Sequence, residues 1–248
     1  MTGRLEGRRC LVTGAAGGLG RTFCSALAAE GARVAGLDLA DLGGTGDAVA
    51  AAGGRLTAVR ADVTDPEQVQ DAVDSAAAGL GGLDTVVNNA GVYPLVPFEA
   101  TDFAQWRRIM AVNLDGLFLV TRAALPHLRR APFGRIVNVA SAVVWLGPPG
   151  MVAYTASKSG MVGFTRALAS ELGPEGITVN AMTPGMIATE TAVATGVTRD
   201  LDRVVGGQAV PRAERPEDLV STLLFLVDEG SSFVTGSAVN VDGGFAKH

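Results

Sequence analysis

The sequence predicts an α/β fold, a doubly wound and mostly parallel sheet of seven strands with helices on both faces. Seven short apolar, β-branched runs alternate with longer stretches that can each hold a helix. The runs are apolar on both faces, as strands covered from both sides must be. The first run ends in a cluster of glycines that opens directly into a helical pattern.

The runs are residues 10–13, 33–38, 56–60, 85–88, 135–139, 178–182 and 238–241. Residues 21–30 read as the first helix. Residues 41–52 read as a second, although Gly43, Gly44 and Gly46 weaken it. Residues 66–78 open with Asp65-Pro66-Glu67, which supplies a cap, a proline at the first helical position and an acid in the first turn. Asn113 falls in a helical segment before the fifth run, and residues 153–172 read as a helix. No linker, charge block or repeat divides the chain, so residues 1–248 are expected to form a single domain. Residues 188–215 carry the weakest pattern, and a loop that long in a compact domain is expected to be a lid.

Of the 248 residues, 48% are hydrophobic and 18% charged, a balance that excludes disorder. Lys+Arg 20 against Asp+Glu 25 gives a net charge of −5, the wrong sign for a nucleic-acid partner. Cys10 and Cys24 are too few for a disulfide framework and point to a reducing compartment. Residues 1–9 lack an apolar leader core and no run reaches 18 apolar residues, so no membrane association and a cytoplasmic location are expected. His127 and His248 have no cysteine or acid cluster around them, and no metal is expected.

After the first strand comes Thr13-Gly14-Ala15-Ala16-Gly17-Gly18-Leu19-Gly20. Glycines there let the backbone approach a pyrophosphate, and the N-terminus of the helix that follows offers free N–H groups and partial positive charge. The second strand ends at Asp38, where a carboxylate can accept hydrogen bonds from the ribose diol of an adenosine. A helix cap is the competing role. With Leu39 and Ala40 after it, Asp38 would set like charges against a 2′-phosphate, so NAD is expected rather than NADP. Asp62-Val63 and Asn88-Asn89-Ala90-Gly91 follow the third and fourth strands, at the edge where open α/β sheets bind ligands. Each could equally be a turn that hydrogen-bonds its own backbone.

Tyr154 and Lys158 stand four apart on one helix face, Ser141 follows the fifth strand, and Asn113 precedes it. Taken together these residues resemble the classical short-chain dehydrogenase/reductase family, over essentially the whole chain. Thr13, Gly14, Gly18 and Gly20 match the family's glycine pattern and Asn88-Asn89-Ala90-Gly91 its Asn-Asn-Ala-Gly element. Asn113, Ser141, Tyr154 and Lys158 are similar in order and spacing to its catalytic tetrad. Pro184-Gly185, with Ile187 and Thr189 after it, resembles its nicotinamide- and phosphate-contacting segment. The resemblance implies a Rossmann-like fold, a homotetramer and a lid over the substrate. It implies NAD contacts from Gly14, Gly18, Leu19, Gly20, Asp38, Leu39, Asp62, Val63, Asn89, Ala90, Gly91, Tyr154, Lys158, Pro184, Gly185, Ile187 and Thr189. It also implies that Asn113 holds a water relaying protons through Lys158.

Removing the hydroxyl proton of an alcohol needs a base, and a phenol near pKa 10 is a poor one at neutral pH. Lowering it by about 3 units takes roughly 4 kcal/mol, which one cation about 4 Å away can supply at an effective dielectric of 20. Tyr154 is thus expected as acid/base, Lys158 as the cation, helped by the positive nicotinamide of NAD+, and Ser141 as hydrogen-bond partner of the substrate oxygen.

Tyr93, Pro94, Val143, Trp145, Met151, Met186 and Ile187 are candidate pocket residues, apolar or aromatic, which favours an uncharged hydrophobic secondary alcohol or ketone as small-molecule substrate. Residues 93–98 with Gln105-Trp106, and the ending Val241-Asp242-Gly243-Gly244-Phe245-Ala246-Lys247-His248, look like the branch containing phenylethanol dehydrogenases, although vitamin-alcohol and sugar-alcohol dehydrogenases of the family carry similar stretches. Two other roles compete. One is 3-oxoacyl carrier-protein reduction, with Arg129 and Arg130 as docking cations; the other is a non-catalytic NAD-binding sensor, against which the intact tetrad argues. Apolar residues all round the 153–172 helix imply a second covered face and hence self-association.

Overall fold

The computed structural model describes residues 3–194 and 196–247; His248 lies outside them, as does position 195 of the expected lid. The strands are β1 (Arg9–Thr13), β2 (Arg33–Asp38), β3 (Leu56–Arg60), β4 (Thr85–Asn88), β5 (Arg135–Val139), β6 (Thr178–Pro184) and β7 (Ala238–Val241), all parallel, in the order β3-β2-β1-β4-β5-β6-β7. The chain runs outward from β1 to β3 and then crosses back to β4, so the order reverses between β1 and β4. A crevice opens there beyond the carboxyl ends of the strands.

Alternate residues of each inner strand feed two cores. Leu11, Val86 and Ile136 pack on one side of the sheet, Cys10, Val12, Val87 and Val137 on the other. This is why inner strands read as continuous apolar runs. The two edge strands differ: Ala58 and Arg60 of β3 are exposed, and all four residues of β7 are half-buried.

The helices are α1 (Gly18–Ala29), α2 (Gly43–Ala51), α3 (Pro66–Leu80), α4 (Phe103–Met110), α5 (Gly116–Leu128), α6 (Val143–Leu146), α7 (Val152–Leu172), α8 (Glu190–Ala194), α9 (Leu201–Gly207) and α10 (Val220–Val227). Asp65 caps α3 by accepting from Glu67 N and Gln68 N, and Gly81 ends it at φ 76°. Helix α2 forms despite its glycines because Thr45 and Val49 are buried, with Thr45 Oγ1 donating to Ala15 O at 2.7 Å.

Two segments carry more helix than the sequence pattern suggests. Residues 188–215 are not featureless, since α8 and α9 lie within them. Helices α4 and α5 join through a π-helical turn, Ala111–Asp115, into one helix, Phe103–Leu128, that is long and apolar enough to cross a membrane. Its placement accounts for that composition: Leu117, Val120, Ala123, Ala124 and Leu128 are buried against the sheet.

Candidate active site

The glycine turn is tight because neighbouring backbone leaves no room. Gly14 has φ 65°, and a Cβ on it would come within 2.8 Å of Ala90 Cα; a Cβ on Gly20 would overlap the Gly14 carbonyl. Gly18 also needs a positive φ, 50°. Asn89 fastens this turn to β4. Its side-chain amide donates to Thr13 O and Gly14 O at 2.9 and 3.0 Å, while Thr13 Oγ1 accepts from both Asn89 N and Ala90 N. The N-cap of α1, Gly17, makes no side-chain cap, so the protein's own side chains leave the first-turn N–H groups to another acceptor. Thr189 comes down on this turn from the far side, its Cγ2 3.4 Å from where a Gly18 Cβ would stand.

Asp38 does not cap α2. Its carboxylate turns back to accept from Ala16 N and Ala40 N, each at 2.9 Å, at the ribose end of the crevice. Leu39 is exposed beside it. Two arginines that the local sequence around Asp38 does not reveal stand close by: Arg21 donates to Ala16 O at 2.9 Å and Arg60 to Leu39 O at 3.0 Å. Asp62 makes the turn contact its sequence allows, accepting from Thr64 N and Oγ1, and Val63 packs against Gly116 in the core. An uncapped helix N-terminus, a glycine cradle and a carboxylate at the end of β2 are a donor and acceptor set that fits a dinucleotide.

Asn113, Ser141, Tyr154 and Lys158 converge at the same crevice. Asn113 is fully buried inside the π-helical turn, the kind of helix defect common at functional sites. It clamps Val92 through both backbone groups, Oδ1 accepting from Val92 N at 2.8 Å and Nδ2 donating to Val92 O at 2.9 Å. Nδ2 also donates to Ser157 Oγ at 3.0 Å, and Ser157 Oγ donates to Tyr154 O at 2.7 Å. Asn113 therefore braces the tyrosine's helix with its side chain, and a water-holding role would fall to its main chain. Ser157, three residues after Tyr154, went unnoticed in the sequence although its spacing puts it on the same face.

Lys158 is buried and donates from Nζ to Val139 O at 2.6 Å, with its charge 5.8 Å from the centre of the Tyr154 ring. Its Nζ lies 3.5 Å and Asn113 Oδ1 3.3 Å from where a Gly91 Cβ would stand, so Gly91 is small because those groups crowd it. Burial pushes Lys158 down to about 8. Burial pushes Tyr154 up to about 12, a hydrogen bond with Ser141 opposing it and Tyr93 reinforcing it. Among the protein's own groups desolvation dominates at this phenol, so the expected acidity needs the cofactor's charge beside that of Lys158.

Tyr93 lies edge-on to Tyr154 with ring centroids 6.2 Å apart. Met151 is buried just ahead of α7, and Pro94, Val143 and Met186 are half-buried. Trp145 is tied to Thr183 Oγ1 at 3.3 Å, which fixes it against β6. Pro184 O accepts from Ala142 N at 2.7 Å, joining the segment after β6 to the loop after Ser141. Ile187 is buried and bridges to Glu214, a residue the sequence did not single out. His127 pairs with Asp74 at 2.7 Å, and among the described residues no cluster could hold a metal ion.

A family model described as enoyl-(acyl carrier protein) reductase matches residues 14–246. The chain is 39% identical to a cyclopentanol dehydrogenase of a Comamonas species over 98% of each chain. It is 38% identical to a 3-alpha-(or 20-beta)-hydroxysteroid dehydrogenase of Mycobacterium bovis, over 98% of this chain and 91% of that one. A short-chain dehydrogenase of Mycobacterium paratuberculosis, solved bound to NAD, superimposes with TM-score 0.90 at 32% identity, covering 99% of this chain and 100% of the other. A short-chain dehydrogenase/reductase of Serratia marcescens does so with TM-score 0.92 at 32% identity, covering 98% and 100%.

Proposed function

Because the chain belongs to the short-chain dehydrogenase/reductase family and is an oxidoreductase of hydroxyl-bearing substrates, we propose that it exchanges hydride between NAD(H) and an uncharged, hydrophobic or aromatic secondary alcohol or its ketone. The observation that carries this reading is the meeting of Tyr154, Ser141 and Lys158 at the crevice that Asn89 joins to the glycine turn. Relatives named for cyclopentanol and for hydroxysteroids support an uncharged alcohol, as do Tyr93, Val143, Met151 and Met186.

Tyr154 is the acid/base and Ser141 its hydrogen-bond partner at the substrate oxygen. Starting from about 12, the phenol must fall by about 5 units to act as a base near pH 7, which takes roughly 7 kcal/mol. The Lys158 ammonium, 5.8 Å from the centre of the ring, is the protein's own cation placed to favour the phenolate. The bound cofactor contributes the hydride-exchanging ring and, when oxidised, a further positive charge. Gly14, Gly18, Leu19 and Gly20 would cradle the pyrophosphate, Asp38 would hold the ribose, and Pro184, Gly185, Ile187 and Thr189 would border the nicotinamide half. The carboxylate of Asp38 supports NAD over NADP.

Carrier-protein reduction gains nothing from Arg129, which a bidentate pair with Glu175 at 2.7 and 2.8 Å neutralises. A homotetramer is supported by the outer face of α5 and α7, where Leu114, Phe118, Leu119 and Phe164 border a cavity of about 620 Å³; a monomer by light scattering would contradict it. A cytoplasmic location is supported by Cys10 and Cys24, free and buried. Turnover of a panel of carbinols and ketones with each nicotinamide cofactor tests the function: neutral secondary alcohols with NAD should be preferred, and preference for a 3-oxoacyl thioester with NADPH would contradict it.

A further inference from the structure

Glu214 closes the end of residues 188–215. It forms an isolated parallel bridge with Ile187, which precedes them, so the expected lid is a loop whose two ends are joined. Its side chain then reaches under the turn after β6, where Oε2 accepts from Gly185 N at 2.9 Å, a donor shared with Val241 O at 3.0 Å. The carboxylate occupies the space of a side chain at position 185: a Cβ there would stand 2.5 Å from Glu214 Oε2 and 3.0 Å from Asp242 Cβ. A side chain at position 185 would displace this carboxylate and crowd Asp242.

That acid is poorly served for a charge. It is 6% exposed, and Oε1 has no hydrogen-bond partner among the described residues. The charged groups facing it are Asp242 on the C-terminal turn, Asp218 on the short turn before α10, and Arg212 on its own segment. Asp242 accepts from the N–H groups of Gly244, Phe245 and Ala246 at 2.9, 3.2 and 2.7 Å. Arg212 is engaged in a bidentate pair with Asp218 at 2.6 and 2.7 Å. Two acids thus press on Glu214 while its one cation is spent elsewhere.

We propose that Glu214 is a positioning residue for the dinucleotide turn, a latch that ties the end of the lid beneath Gly185 and loosens when its buried carboxyl ionises. What the latch serves rests on the dehydrogenase reading; the latch itself does not. Burial, with the neighbouring acids Asp218 and Asp242 behind it, pushes Glu214 up to about 8 against an ordinary 4.5, outweighing the Gly185 N–H and Arg212, which favour the charged form. The latched form therefore holds a proton that a released carboxyl gives to solvent. Between those two values latching weakens by up to about tenfold per pH unit, and outside them it is constant.

Amide hydrogen exchange at Met186, Ile187 and residues 188–194, measured without substrate from pH 6 to 9, tests this independently of activity. Protection in Glu214→Gln relative to the natural chain at each pH should rise by about tenfold per unit up to about pH 8 and then level off. Glu214→Ala should be less protected than Glu214→Gln by the same factor at every pH. The same pH dependence in the natural chain and Glu214→Gln would overturn the proposal. Should either variant not fold, carboxyl NMR of the unsubstituted protein decides: one glutamate titrating near pH 8 supports the latch, and none titrating above pH 6 overturns it.

Discussion

The Lys158 ammonium stands 5.8 Å from the centre of the Tyr154 ring and gives its hydrogen bond to the Val139 carbonyl, 2.6 Å away. The charge that is to serve the phenol is held by the backbone at the end of β5, so its position is fixed before any substrate arrives. Holding it has a cost. Lys158 is lowered from 10.5 to about 8, so the folded protein binds fewer protons than the unfolded chain between those values and stability rises with pH across that window. Below about pH 8 the whole penalty, ~3 kcal/mol, is present.

Lys158→Met should remove that penalty. Calorimetry at pH 7 should show a Tm several degrees higher with turnover abolished, because a buried unpaired cation is exchanged for an apolar chain of similar length. An unchanged or lower Tm would show that the ammonium is better served than its Val139 contact indicates.

Asp38 should govern the choice of cofactor. Asp38→Ala removes a carboxylate that holds Ala16 N and Ala40 N, and with it charge-assisted bonds to a ribose diol worth ~2–3 kcal/mol. Titration should give a Kd for NAD raised roughly 30- to 100-fold, while NADP binding improves because Arg21 and Arg60 remain nearby. Equal losses for both cofactors would remove Asp38 from the discrimination.

Asn113→Ala should cost stability as well as rate. It leaves Val92 N and O unpaired and frees Ser157, so denaturant unfolding should report a loss of ~2–4 kcal/mol. A loss below ~1 kcal/mol would mean that the clamp on Val92 is replaced by water.

The strands were legible because burial on both faces favours apolar residues on either side of the strand, as at Ile136, Val137 and Val139 of β5, although buried Arg135 and Asn138 interrupt that run. The candidate tetrad was legible because Asn113, Ser141, Tyr154 and Lys158 together match a family pattern in order and spacing; the one-turn spacing of Tyr154 and Lys158 alone is common on surface helices. Three features were not. The π-helical turn around Asn113 is held by Val92, 21 residues away, and no local propensity encodes it. Glu214 reads as a surface acid among Arg212, Arg215 and Glu217, and only the turn at Gly185 buries it. The raised pKa of Tyr154 comes from the desolvation that folding imposes, which spacing along a helix does not report.

Tyr154→Phe is the most direct test of the central claim, measured as NAD affinity by titration and as hydride transfer by absorbance in one preparation. The account predicts cofactor affinity within about twofold of the unsubstituted protein and turnover lowered by at least about 10²-fold, since the phenol oxygen is the proton acceptor and no other group replaces it. Turnover retained by the phenylalanine variant would contradict the account.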